Sequence, residues 1–271
     1  MLVKNIFLVA VFFLLGFNSI AQTYSVLHTE GTIFKTATQK ALVTGDTFSA
    51  SDSLSFPKLL SWAVVISASG DLLFVQSSEA TTKASKTVVT TIERGLHPVK
   101  RKENLPVKDL SAYFKGDQFV FIGNDFSLPI DTESYELNEK LFLLYRYEYN
   151  SRIITHKIPF NKERISFHPA FLYEYKGEKI PAQKTTNTEL AHFDSNTNLP
   201  TFVARFRPIW LNEEQLKKEL QILVKVYEST KKMKESKLNT TALFLGYVQD
   251  IYGQTDEFYF SEWVQKSYYG K

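Results

Sequence analysis

The residues from Leu141 to Asn150 restrict the fold of this chain more than any others. Leu141, Leu143, Tyr145, Tyr147 and Tyr149 alternate with Phe142, Leu144, Arg146, Glu148 and Asn150. Successive side chains of a strand point to opposite faces. This period of two therefore predicts a strand with one apolar face and one face that turns polar toward its end. Asn150-Ser151-Arg152 has turn chemistry and Ile153 to Ile158 is apolar again, so 141–158 is expected to be a hairpin. Phe171, Tyr173 and Tyr175 alternate before a Lys176-Gly177-Glu178 turn, and Thr201 to Phe206 reads as a further strand. Gln183 to Pro200 is polar and reads as a loop. Such strands bury their apolar sides in a central antiparallel β-sandwich.

The flanking regions differ in kind. Residues 22–76 read as a small β barrel or sandwich module. Ala41 to Asp46 ends in a Gly-Asp turn, Trp62 to Ile66 is an apolar, β-branched run, and Ser69-Gly70-Asp71 precedes Leu72 to Val75. Residues 77–104 are rich in Ser, Thr and Lys and read as a linker or exposed loop, with Lys100-Arg101-Lys102 as solvated charge. Residues 105–271 are expected to hold the β-sandwich and two to three C-terminal helices. Asn212 suits an N-cap, and Leu216, Leu220, Leu223, Val224 and Tyr227 form a helical stripe. Phe244, Tyr247, Val248, Ile251 and Tyr252 repeat that spacing before Gly253. A short third helix is expected from Asp256 through Trp263. The expected class is α+β.

The chain's first 21 residues address it outside the cytoplasm. Lys4 precedes an apolar run from Ile6 to Phe17, and Ser19 and Ala21 place small residues at the −3 and −1 positions before Gln22. This is the pattern of a cleavable secretory signal peptide, and the run is shorter than the roughly 20 apolar residues of a membrane-spanning helix. No transmembrane segment is expected in the mature chain, which is read as periplasmic or secreted through the general secretory route. The chain has no cysteine, so stability has to come from an apolar core rather than from disulfides. Loss of Lys4 with the signal lowers the formal charge from +3 to +2. That is close to neutral and makes no case for nucleic acid as a partner.

One region resembles a known family. Gly31-Thr32-Ile33-Phe34, Leu42-Val43-Thr44-Gly45-Asp46-Thr47-Phe48, Trp62-Ala63-Val64-Val65-Ile66 and Gly70-Asp71-Leu72-Leu73-Phe74-Val75 match the strand and turn pattern of the FecR-like β module of Gram-negative envelope proteins. The last turn reads Gly-Asp rather than Asp-Gly, and Phe56-Pro57-Lys58 interrupts the spacing. FecR-type signal transducers carry a cytoplasmic segment and a membrane span where this chain has a signal peptide. The resemblance therefore implies a small β module in the cell envelope and not sigma-factor signalling. The remainder is similar to secreted Bacteroidetes proteins of unknown role.

No residue set spells out a reaction. The histidines are scattered, and His192 with Asp194 is the nearest approach to a metal pair; a catalytic zinc needs a third protein ligand, which the spacing does not supply. Asp194-Ser195-Asn196-Thr197-Asn198 begins like a calcium loop, but Leu199 stands where the turn requires Gly and Arg205 where Glu is required. Ser55-Phe56-Pro57-Lys58 and Ser229-Thr230-Lys231-Lys232 fit Ser-x-x-Lys without its partner motifs. No cofactor is expected. Aromatic residues are 14% of the chain, so Tyr145, Tyr147, Tyr149, Tyr173 and Tyr175 form either a core or a binding surface. The reading that follows is a non-enzymatic protein binding an envelope protein or a cell-surface glycan, with a hydrolase of envelope polymers as its alternative. N-terminal sequencing of the exported form should begin at Gln22; retention of Met1 to Ala21 would identify the run as an anchor.

Overall fold

The computed structural model describes residues 22–58, 60–77, 87–92, 103–230 and 239–270. The expected signal segment ending at Ala21, and Lys100-Arg101-Lys102, lie outside the described residues. The chain is α+β, with several antiparallel sheets and a helical C-terminal segment. It divides into two units, Met1–Ile92 with Ile222–Lys234, and Glu93–Gln221 with Glu235–Lys271.

The first unit consists of short strands: β1 (Thr23–Glu30), β2 (Phe34–Lys35), β3 (Lys40–Ala41), β4 (Thr47–Ser49), β5 (Leu54–Ser55), β6 (Trp62–Ser67), β7 (Leu72–Ser77) and β8 (Thr87–Thr91). One sheet has the order β4-β1-β6-β7-β8 and a smaller one the order β3-β2-β5, all antiparallel. Ala63, Val65, Leu73 and Val75 join Val26, Ile33, Leu54 and Phe56 in one core. Val64, Ile66 and Leu72 alternate with them, so they point to the opposite face, yet they are buried as well. A sheet buried on both sides needs a second cover. Residues from far along the chain approach this sheet at the β6–β7 turn. A Cβ added to Gly70 would lie within 4 Å of Tyr227 and Thr230, and the φ of +85° there favours glycine in any case.

This corrects the expected boundaries. The module does not close at residue 76. Within the expected 77–104 linker, Thr87–Thr91 is a strand paired with Leu73–Ser77. Its sequence, Thr-Val-Val-Thr-Thr, is mostly polar, and among the described residues β8 stands at the edge of the sheet, paired with β7. The unit also takes in Ile222–Lys234. Residues 22–92 expressed alone should therefore lose the burial of Leu223 and Tyr227, about 1.5–3 kcal/mol for each large side chain. Their thermal unfolding should be broad or absent by circular dichroism, and a sharp, cooperative melt of that fragment would contradict this plan.

The second unit contains α1 (Leu110–Tyr113), β9 (Gln118–Ile122), β10 (Phe126–Pro129), β11 (Leu141–Tyr149), β12 (Arg152–Lys157), β13 (Arg164–Phe167), α2 (Pro169–Leu172), β14 (Glu174–Tyr175), β15 (Glu178–Lys179), β16 (Thr186–Asp194), β17 (Leu199–Arg205) and β18 (Arg207–Leu211). A four-stranded antiparallel sheet has the order β12-β11-β16-β17. The β11–β12 hairpin turns at Asn150 and Ser151 with φ of 50° and 60°, the left-handed pair a two-residue turn requires. The supposed loop 183–200 contains β16, which lies between β11 and β17. Only Thr188, Leu190 and Ala191 of β16 are fully buried, so its apolar content was too low to announce a strand. The sheet pairings are not all antiparallel either. β9 runs parallel to β18 and bridges Gln254 on its other side, where Val120 N donates to Gln254 O at 2.7 Å. That interior position explains why Phe119, Val120, Phe121 and Ile122 are all buried.

The core of this unit is aromatic. Phe114 stacks on Phe206 at 4.4 Å between ring centroids, and Phe121 on Trp210 at 4.4 Å. α3 (Glu213–Ser229) begins at the expected cap, where Asn212 Oδ1 accepts from Gln215 N; α5 (Glu257–Trp263) begins after Asp256, which caps it, and Asn239, not read as a cap from the sequence, caps α4 (Thr240–Tyr252). α4 ends at Gly253, where φ is +113° and a Cβ would come within 2.8 Å of Gln118 Cβ. α3 is divided between the two units: Leu216 and Leu220 are buried in its first part and Leu223 and Tyr227 in its second.

Candidate functional site

The five tyrosines do not share a surface. Tyr145 and Tyr147 lie on the core face of β11 and are 0% and 1% exposed, and Tyr173 is 5% exposed. Their hydroxyls are satisfied internally. Tyr145 and Tyr173 hydroxyls lie 2.6 Å apart, Trp210 Nε1 donates to Tyr173 Oη at 3.3 Å, and Tyr147 Oη donates to Leu172 O at 2.9 Å. Burial raises the pKa of all three phenols, that of Tyr147 to about 12. They stay protonated in neutral water and serve as hydrogen-bonding core groups, not as bases or nucleophiles. Tyr149 is half-buried against the same core. Tyr175 alone is exposed, on the small β14–β15 hairpin, with Lys176 Nζ 5.3 Å from its ring centroid.

Because Leu143, Tyr145 and Tyr147 turn inward, Phe142, Leu144, Arg146 and Glu148 project from the other face of the sheet. Register extends them into cross-strand rows. Phe142, Phe193 and Pro200 form one row; Lys157, Leu144, Ala191 and Phe202 form the next; Thr155, Arg146, Glu189 and Arg205 form the third. A bulge at Val203 shifts the β17 register, so Phe202 and Arg205 both point outward while Ala204 joins the core. Phe202 and Ile153 are 59% and 68% exposed. None of Phe142, Leu144, Phe193 and Phe202 belongs to the aromatic core cluster.

Charge on this face is paired. Glu189 Oε1 meets Arg146 Nη1 at 2.9 Å and Glu189 Oε2 meets Arg205 Nη2 at 3.1 Å. Lys157 Nζ bonds Glu139 at 3.1 Å and sits 4.3 Å from the Phe142 ring centroid. Asn187 Nδ2 donates to Glu148 Oε2 at 2.9 Å. The face carries Phe142, Phe193 and Phe202 bordered by paired arginine, lysine and glutamate; aromatic and arginine side chains are enriched in the contact centres of protein interfaces. It gathers no nucleophile with a base.

The weaker candidates have local roles. Asp194 Oδ1 accepts from Asn196 N at 2.8 Å within the β16–β17 turn, and His192 Nε2 lies 3.4 Å from Glu136 O. Among the described residues no group of three or more His, Asp or Glu is placed to hold a metal ion. Ser55 is buried in β5, and Ser229 Oγ donates to Val226 O at 2.7 Å. No family model, no curated protein and no solved structure matches the chain.

Sequence reasoning chose the correct strand but named the face of its alternating tyrosines as the candidate surface, and Tyr145 and Tyr147 on that face are core. It missed the outward one, which Phe142, Leu144 and Arg146 had marked by the same alternation. Replacing Tyr145 or Tyr147 with Ser should destabilise the second unit by about 3–5 kcal/mol, as deletion of a buried aromatic does. The change would be read as a fall in melting temperature. An unchanged melting temperature would mean that these rings are not core.

Proposed function

We propose that this chain is an exported, non-enzymatic envelope protein that binds another protein through the outer face of its four-stranded sheet. The observation that carries this reading is the set of Phe142, Leu144 and Phe202 beside Arg146 and Arg205, on the face of the sheet opposite the aromatic core. Aromatic and arginine side chains are the residues most often found as energetic anchors of interfaces. The ion pairs around Glu189 hold the guanidinium groups in place before contact, which lowers the entropy lost on docking. Export is supported by the signal pattern of residues 1–21, and an envelope setting by the resemblance of residues 23–76 to FecR-like modules.

Capture from envelope extracts tests the proposal. The double variant Phe202→Ala and Arg205→Ala should lose the partner, with anchors of this type each contributing about 2 kcal/mol or more. Its melting temperature should stay near that of the parent, because exposed substitutions change stability by about 0.5 kcal/mol or less. Undiminished capture by the folded double variant would remove this face from the function. Capture of isolated cell-surface glycan in place of protein would change the partner class.

A further inference from the structure

His156 occupies a place where charge is poorly tolerated. It lies on β12 opposite Tyr145, on the core face of the sheet. Its ring stacks on Tyr147 at 6.0 Å with 19° between planes and meets Phe171 of α2 edge-on at 5.3 Å. Its Nε2 is buried and has no hydrogen-bond partner among the described residues. The same neighbours hold α2 against the sheet, because Tyr147 Oη bonds the carbonyl of Leu172. α2 is four residues long, and its N-cap residue His168 makes no side-chain capping bond.

A neutral imidazole fits this slot with one idle lone pair. A charged one would need a proton on Nε2 with no acceptor to receive it, which is the costlier state. Among the described residues, the rings that meet the imidazole bring no negative charge to it. Tyr145 and Tyr147 are phenols that burial keeps protonated, and α2 has no ionisable residue. On β12 itself, Arg152 lies on the same side of the strand by alternation, and Lys157 lies on the other face bonded to Glu139.

We propose that protonation of His156 releases α2 and the adjoining part of β12, making this corner of the second unit open in mild acid. Burial lowers the His156 pKa below 6.5 in the closed form. The open form then binds the proton more tightly, so the closed form is fully stable above about pH 6.5 and loses stability as pH falls toward the lowered value. Each unit of depression corresponds to about a tenfold rise in opening once both forms are titrated. The inference does not depend on the binding reading.

Hydrogen exchange of the full mature chain between pH 7.5 and 5, corrected for intrinsic rates, should show faster opening in 152–158 and 169–175 at low pH. That response should be absent in His156→Phe, and in His156→Gln should the larger ring distort the slot. Nuclear magnetic resonance titration of the parent should place His156 below 6.5. Exchange that is independent of pH in these segments, an equal acid response in both variants, or a His156 pKa at or above 6.5 would each overturn the proposal.

Discussion

The second unit is organised by the inward burial of one side of β11. Leu143, Tyr145 and Tyr147 are fully enclosed, and a strand cannot turn three alternate side chains inward without turning their neighbours outward. The outer surface of Phe142, Leu144, Arg146 and Glu148 is therefore a geometric consequence of the core. Cross-strand register propagates that choice to β12, β16 and β17. One residue of slip in any pairing would exchange the two faces. The bulge at Val203 is where β17 adjusts, and it lets Phe202 and Arg205 join the same surface.

Buried tyrosine makes this core different from an aliphatic one. Each enclosed ring carries a hydroxyl that needs a partner, and the unit meets that demand in linked sets. Tyr145, Tyr173 and Trp210 share one chain of bonds. Tyr113 Oη donates to the buried Asp256 at 2.6 Å. Tyr247 and Tyr252 both donate to Glu219 Oε2, at 2.9 and 2.7 Å, while Gln215 Nε2 reaches Oε1 at 3.0 Å. A carboxylate buried among such donors depends on all of them, and removing one leaves a polar group unsatisfied at about 1–3 kcal/mol. With no cysteine in the chain, these bonds and the packed rings orient the core where a disulfide would otherwise do so.

The chain's path also limits how far it can be cut into modules. The first unit resembles an independent β module in its turns, and Gly45 and Gly70 adopt the positive φ expected of them, 94° and 85°. Yet the unit also takes in residues that follow the whole of the central sheet in sequence, and Tyr227 and Thr230 lie close to its Gly70 turn. α3 has one continuous apolar stripe whose two halves serve different units. Nothing in a stripe of leucines states which partner each turn will meet.

Local chemistry was legible from the sequence alone. Period two specified β11 and its hairpin, helical spacing specified α3, α4 and α5 with Asn212 read as a cap, and glycine turns marked the strands of residues 22–76, because these signals act over a few residues. The tertiary structure decided what depends on distant partners. It made β16 a central strand although its own residues are mostly polar, since β11 and β17 supply its hydrogen bonds. It paired β9 in parallel with β18, from which the central sheet separates it in sequence. It buried Glu219, which a helical plot places no differently from a surface glutamate until Tyr247 and Tyr252 arrive beside it. It also decided which side of the aromatic strand is core and which is surface. The alternation contained both faces, but only the packing of the other elements against one of them broke that symmetry.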